Sequence, residues 1–519
     1  MVKITIDGQQ AEVKEGLTIL KAAEALGIEI PHLCFHPAFS PEGSCRMCVV
    51  EIQGRPKLEL ACSTIVQEGM VIFTQSQAVV EARRSVLEFL LAEHPLDCPL
   101  CDKAGECKLQ DYYELYGLFD SQFKELKEKR AKRVHLGRKL ILDRERCILC
   151  TRCVRFLKEV TKTGELGVFQ RGIHSEIDYF PGQPVNNNYS GNLAELCPVG
   201  AITDQDFRFQ TRSWFLNSKP AICPLCSRVC SVYIDYHRGF PRVELDKYVY
   251  RIRARENPQI NNYWLCDFGR YTYSYLEKNR ATQVLVRENG HLVEDDWPSQ
   301  LDLLAKKLKE IYLKKRTSQV GVIFNSALTT EELYLIKKLF VEELPEVNLY
   351  LLDPEEGEGD GFLLTSSRTP NLKGVELIGL QPRRFSAAEL SQKLKLIIIF
   401  AYLPLGDNHY KELNSVLDRE AKVILLTAHQ TWLMEKADLV LPTLLPQEKE
   451  GSMVNVDGQV QRFEKALPAP GQARSEGEIL GIVGRQLGID FSFYQEIKKP
   501  ADIFDKISQE FSWAEVSRD

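Results

Sequence analysis

All fifteen cysteines of this 519-residue chain lie between Cys34 and Cys266, most of them in C-x2-C steps. No feature constrains the fold more, because thiols three residues apart have to converge on something between them. The N-terminus, MVKITIDGQQ, has no apolar leader segment. The longest apolar run, LIIIFAYL, is far short of the ~20 residues of a membrane helix. A cytoplasmic, non-spanning chain is therefore expected. In that setting disulfides are disfavoured, and metal ligation or redox chemistry is the better reading. A net charge of −6 with a pI near 6.0 gives no basic bias, which argues against a nucleic-acid partner and for protein partners.

The cysteines form four groups. Cys34, Cys45, Cys48 and Cys62 follow the general plan of a plant-type [2Fe-2S] site, with a longer first gap. Gly43 and Ser44, just before Cys45, suit a loop whose backbone N–H groups point at cluster sulfurs. Cys98, Cys101 and Cys107 leave one iron of a [4Fe-4S] cube without a thiolate, and His94 is placed to be the fourth ligand. The competing reading has the His94 ring bonding the last carbonyls of the helix that ends there. Cys147, Cys150 and Cys153, with Cys197-Pro198 downstream, have the compact run and Cys-Pro ending of bacterial ferredoxins. Cys223, Cys226, Cys230 and Cys266 make the last quartet. Zinc is the rival for any single C-x2-C pair, but C-x2-C-x2-C maps onto corners of a cube better than onto one tetrahedral ion.

The length suits roughly three or four domains. Strands flank Asp7-Gly8, a type I′ hairpin signal. A helix is expected from Thr18 to Leu26, stopping at Gly27, and then short strands in CVVEIQG, LELAC and MVIFT, together a β-grasp pattern. Apolar residues at Val79, Ala82, Val86 and Leu90 mark one face of a helix that Pro95 ends. The basic segment 124–139 reads as a solvated connecting helix or linker. After about Tyr275 the pattern alternates: strands in VGVIF, NLYLL, KLIIIFA, KVILLT and DLVLP, a helix opened by a Thr329/Glu332 capping box, and another near Tyr410. That alternation implies an open, mainly parallel α/β sheet. The acidic GEGDG at 357–361 reads as a loop rather than a phosphate cradle.

The phrases HPLDCPLCDKAGEC, CILCTRC and ELCPVGAITDQDFRF, with this order of sites, resemble the large iron-sulfur subunit of the NADH-oxidising arm of respiratory complex I. Relatives in NAD-linked hydrogenases and formate dehydrogenases share the early part. The rear half resembles, more weakly, a degenerate molybdopterin-oxidoreductase domain, through turns around Asn371, Gly374, Gly379 and Pro382 and through 436–463. The resemblance implies an α+β then α/β chain. Its parts are a β-grasp [2Fe-2S] ferredoxin domain at 1–78, a helical histidine-plus-three-cysteine [4Fe-4S] domain at 79–118 and a [4Fe-4S] ferredoxin-like domain at 119–216. A small [4Fe-4S] domain at 217–274 follows, then a shortened molybdopterin-oxidoreductase-like domain without an active site at 275–519.

The same resemblance implies one [2Fe-2S] cluster on Cys34, Cys45, Cys48 and Cys62. It implies three [4Fe-4S] clusters, on His94 with Cys98, Cys101 and Cys107, on Cys147, Cys150, Cys153 and Cys197, and on Cys223, Cys226, Cys230 and Cys266. Electrons would enter at the first, cross to the Cys147 set and leave by the His94 set, with the Cys223 set off that path. The sequence has no G-x-G-x-x-G fingerprint and no late cysteine for molybdenum or an [FeFe]-hydrogenase cluster, so no flavin, NAD or molybdopterin is expected on this chain. Expected partners are an NADH/FMN-binding flavoprotein, a small thioredoxin-like [2Fe-2S] subunit, and an acceptor module. The chain's shortness favours a soluble [NiFe]-hydrogenase or electron-bifurcating acceptor over a complex I quinone module, and the assembly could lie against the inner face of the membrane through its partners. The reading from a different class is a non-redox scaffold whose metals only staple loops.

Overall fold

Asp7 and Gly8 both take left-handed backbone conformations (φ 46° and 84°), which turns β1 (Val2–Ile6) straight back into β2 (Gln9–Val13) with Val2 opposite Val13. The computed structural model describes residues 1–117, 122–237, 248–354, 356–386, 394–402, 413, 417, 420–487 and 500–511. These belong to two units, Met1–Asn217 and Ser218–Asp519. In the first, Thr18 caps α1 (Ile19–Ala25) through its side chain, and β3 (Val49–Ile52), β4 (Glu59–Leu60) and β5 (Met70–Phe73) complete a sheet of order β2-β1-β5-β3-β4. The central β1–β5 pair is parallel. Ile4, Ile6, Ile19, Val50 and Ile72 pack with Cys48 and Cys62 in its core, so the cluster-bearing loops are continuous with the hydrophobic interior.

The helix expected from Val79 is α2 (Gln77–Glu93), capped by Ser76 and ending at His94. Its most buried seam is Val79, Arg83 and Leu87 rather than Val79, Ala82, Val86 and Leu90. Arg83 is tolerated inside because its guanidinium donates to Met47 O, Val49 O and Tyr116 Oη. That arginine ties α2 to β3 and to α3 (Lys108–Tyr116). Segment 124–139 carries no helix and ends in the short strand Val134–His135. It is a strap with bonded cations: Lys127 caps carbonyls and Lys132 pairs with Glu145 at 2.7 Å. The rest of the unit builds a small three-stranded sheet from Ile202–Asp204, Leu140–Leu142 and Val134–His135.

The second unit opens on a three-stranded sheet of Ser231–His237, Val249–Ala254 and a strand, Leu216–Ile222, whose first two residues precede the unit boundary. An eight-stranded sheet follows. Its six parallel strands, in chain order, are Val320–Phe324, Asn348–Leu351, Arg383–Arg384, Leu396–Ala401, Lys422–Thr427 and Leu439–Pro442. They lie side by side as 3-2-1-4-5-6, the doubly wound order. An antiparallel hairpin, Val284–Glu288 with His291–Asp295, extends the sixth-strand edge. The central strands are apolar almost throughout because both faces are covered: Val320, Val322, Ile398 and Phe400 face one core, and Ile323, Ile397 and Ile399 the other. The capping box at Thr329 and Glu332 is present, and 357–361 holds no helix or strand. The helix expected near Tyr410 falls outside the described residues. No described helix is long and apolar enough to cross a membrane.

At the point where the strand order reverses, Asn325 Nδ2 donates to Phe400 O at 2.7 Å and laces the two strand ends together. Beside it, buried Lys449 reaches Glu332 at 2.8 Å and Glu476 at 2.6 Å. Burial opposes the ammonium charge, but the two carboxylates outweigh it and hold the lysine pKa up. Lys449→Met strands two carboxylates in the interior and is expected to destabilise this unit by about 3–5 kcal/mol, seen as a lowered unfolding transition in calorimetry. Replacing Glu332 and Glu476 by Gln alongside it should recover most of the loss.

Candidate metal centres

In the first group, the segment between α1 and β3, which carries Cys34, Cys45 and Cys48, and the turn after β4, which carries Cys62, bring four buried thiols together. The Cys34 and Cys45 thiols are hydrogen-bonded to each other, as are those of Cys48 and Cys62. The Cys45 and Ser44 contacts, against the opposing effect of burial, bring Cys34 down to about 5. Cys45 Sγ accepts from the backbone N–H groups of Leu33 (3.4 Å) and Cys34 (3.3 Å), and also from that of Met47. The donors the sequence suggested, Gly43 and Ser44, differ from these. Ser44 contributes its side chain, to Cys34, and Gly43 supplies a left-handed turn (φ 69°) against Leu60.

The second group lines one small cavity: His94, Cys98, Cys101 and Cys107, with Arg146 and Gly200 closing it. His94 sits at the end of α2, and its Nδ1 is buried without a hydrogen-bond partner among the described residues. Lys127 Nζ instead takes the carbonyls of Leu91 (2.6 Å) and His94 (2.7 Å), so the capping role that competes with ligation is filled by another residue. Burial, then Arg146 and Lys127, brings the imidazole down to about 4, which keeps it neutral. Cys107 is the N-cap of α3, and its thiol faces the N–H groups of Leu109 and Gln110. Burial nonetheless pushes that thiol up to about 11. Cys98 is the exposed member of the four.

The third group turns through two left-handed residues, Leu149 (φ 50°) and Thr151 (φ 57°), one in each C-x2-C step. Backbone N–H groups of Leu149, Arg152 and Val154 bond Cys147, Cys150 and Cys153, and Ile202 N–H approaches Cys197 Sγ at 3.5 Å. Burial raises Cys147 to about 12 and Cys150 to about 11. In the second unit, Cys223, Cys226, Cys230 and Cys266 are all buried. A Cβ on Gly269 would stand 3.0 Å from Cys223 Sγ and 3.6 Å from Cys266 Sγ, so this glycine lies where the first and last cysteines converge.

Anionic sulfur ligands need N–H donors and nearby positive charge, and each set has such N–H donors. The lone imidazole nitrogen, the glycines against sulfur and the four-fold donor sets all fit iron-sulfur groups. Among the described residues no three His, Cys, Asp or Glu side chains are placed to hold a single metal ion; a cube, whose ligands stand on separate irons, does not require that closeness.

Spacing alone missed the residues that join the sets. Arg155 bonds both Cys34 O and Cys150 O. A Cβ on Gly200, three residues after Cys197, would meet Cys101 Sγ at 2.2 Å. Lys103, between Cys101 and Cys107, reaches Ala194 O at 3.2 Å. The basic residues inside CTRCVRF and the glycine of CPVGA were the available signals.

Residues 1–77 match the family described as a 2Fe-2S iron-sulfur cluster binding domain, and 83–122 the NADH-ubiquinone oxidoreductase-G iron-sulfur binding region. Residues 137–203 match the ferredoxin-like domain of NADH-quinone oxidoreductase subunit 3, and 375–486 match molybdopterin oxidoreductase. The NADH-quinone oxidoreductase-G protein of Streptomyces coelicolor is 39% identical over 342 residues, 65% of this chain and 39% of that protein. Its counterpart in Rickettsia bellii is 36% identical over 392 residues, 74% of this chain and 56% of that protein. The chain is a homologue of these NADH-quinone oxidoreductase subunits. It spans from about two-fifths to just over half the length of these relatives. A chain in the crystal structure of an NAD+-reducing [NiFe]-hydrogenase in the H2-reduced state is 34% identical, with 41% of this chain and 91% of that one covered and a TM-score of 0.38.

Three substitutions probe the second centre. His94→Ala should open one iron site and make that group labile, and His94→Cys should keep it at a lower potential, since a thiolate adds negative charge. An unshifted signal in both, read by EPR redox titration, would return His94 to a structural role. Gly200→Ala drives a methyl into Cys101 Sγ, and anaerobic iron analysis should show a loss of about four irons from one [4Fe-4S] group.

Proposed function

We propose that this chain is an iron-sulfur electron-relay subunit of an NADH-linked multi-subunit oxidoreductase. In this reading Cys34, Cys45, Cys48 and Cys62 hold a [2Fe-2S] group. Three [4Fe-4S] groups are held by His94, Cys98, Cys101 and Cys107, by Cys147, Cys150, Cys153 and Cys197, and by Cys223, Cys226, Cys230 and Cys266. The observation that carries it is serial contact between ligand loops: Cys34 and Cys150 share Arg155, and the Cys197 loop lies against Cys101 at Gly200. When bound, such groups supply reversible one-electron transfer.

The chain's own residues do the rest. Buried loops exclude water from the sulfurs, backbone N–H groups stabilise their charge, and the exposed Cys98 edge puts the end of the series near the surface. The order of contact supports a route that joins the Cys34 set to the His94 set by way of the Cys147 set; entry at the Cys34 set and exit by the His94 set follow from the family resemblance. The Cys223 set lies in the other unit and is assigned no place on this route. A flavoprotein partner with a small thioredoxin-like [2Fe-2S] subunit would deliver electrons from NADH. The acceptor module is of quinone-reducing type, as the relatives' names suggest, or of the hydrogenase or electron-bifurcating type; co-purification from the native source identifies which.

The test is the metal and its redox behaviour in the full chain. Purified anaerobically, it should carry about fourteen iron atoms, be bleached by dithionite, and be left unchanged by NADH alone. Stoichiometric zinc with iron near zero would instead establish the scaffold reading.

A further inference from the structure

Two arginines in the third ligand loop are buried without an acid to balance them. Arg152 and Arg155 are 7% and 5% exposed, and among the described residues neither has a carboxylate at ion-pair distance. Arg155 donates through Nη2 to Cys34 O (2.5 Å) and Cys150 O (3.2 Å), through Nη1 to Ser40 O (2.8 Å) and through Nε to Thr151 Oγ1 (3.2 Å). The Phe39 ring lies under its guanidinium at 5.4 Å. Arg152 donates to Leu196 O at 3.3 Å and to Phe35 O, and its Nε has no partner. The ionisable groups acting on Arg152 most strongly are Cys150, Cys197, Cys34 and Cys45, two from each of two ligand sets.

Carbonyl oxygens satisfy a guanidinium's hydrogen bonds but leave its net charge standing, and a buried cation without a counter-ion is unfavourable. Sequence neighbours cannot explain the arrangement either: Arg155 and Cys34 are 121 residues apart. The anion that would balance this pair is the thiolate-bound iron at Cys34, Cys45, Cys48 and Cys62 on one side and at Cys147, Cys150, Cys153 and Cys197 on the other.

We infer that Arg152 and Arg155 are positioning residues that serve as a shared counter-charge for these two groups, fastening their ligand loops together and raising both reduction potentials in step. The inference rests on the proposed ligand sets. Reduction adds one electron and no proton to a group, so a fixed positive charge nearby stabilises the reduced form and raises the potential. Because the same guanidiniums face both groups, removing one lowers both potentials. The His94 group, whose neighbouring cations are Arg146 and Lys127, and the Cys223 group, with Arg228 beside it, serve as internal controls.

The experiment is an EPR-monitored redox titration of the full, anaerobically loaded chain, comparing wild type with Arg155→Met, Arg155→Lys and Arg152→Met. Arg155→Met and Arg152→Met should each shift the [2Fe-2S] signal and one [4Fe-4S] signal to more negative potential together. Arg155→Lys, which keeps the charge but loses the fork of hydrogen bonds, should retain most of the wild-type potentials. A shift in only one of the two signals, no shift, or a lysine variant matching the methionine one would overturn the shared counter-charge. Should Arg155→Met fail to load, Arg152→Met carries the same comparison. A wild-type chain without these signals would instead count against the ligand sets themselves.

Discussion

Presenting several sulfurs to one body within a few residues forces a chain to bend against its own preference, and much of this protein is arranged around that constraint. Arg46, Leu149, Thr151 and Val229 lie within the C-x2-C or C-x3-C steps, and all four are left-handed without being glycine. Gly43 and Gly105 take the same conformation next to Cys45 and Cys107. Each non-glycine case costs of order 1–3 kcal/mol and persists only where the surroundings over-determine it; Thr151 and Val229 are β-branched and so especially disfavoured. Here those surroundings are cores into which the loops run directly. Cys48 and Cys62 pack with β1, β3 and β5, and Cys223 and Cys230 with Val232, Ile234 and Ile252.

Bending of this kind also turns N–H groups toward sulfur, which supplies part of the charge stabilisation that water would otherwise give. In the proposed assignment the remainder comes from cations: Arg146 at the second group, Arg152 and Arg155 at the first and third. Two kinds of contact then place the groups in series. A long-range arginine spans two loops from different elements, and a glycine without a side chain lets backbone approach sulfur. Each fixes the loops relative to one another, as the proposed one-electron relay requires.

The grouping of the cysteines was legible in the sequence because their spacing is local. The type I′ hairpin at Asp7-Gly8, the Thr329/Glu332 capping box and the parallel sheet of the rear half were legible for the same reason, each resting on residues that act within one turn or one strand. What spacing could not reveal lies in contacts between distant segments. Arg83 breaks the apolar seam of α2, and only Met47, Val49 and Tyr116, from other elements, make its burial tolerable. Two of the three N–H donors to Cys45, Leu33 and Cys34, come from across the loop, and the adjoining Gly43 is not among them. The basic strap at 124–139 read as solvated because its charges find partners in Leu91, His94 and Glu145, which its own pattern does not mention.

The central claim is that the ligand sets of the first unit form a contiguous series. Microwave power saturation of the reduced [2Fe-2S] EPR signal tests it directly, because a paramagnet relaxes faster when another lies close by. The account predicts that this signal becomes harder to saturate once the Cys147 group is also reduced, and that the effect disappears in Cys147→Ser. A [2Fe-2S] signal that saturates identically whatever the state of the other groups would contradict it.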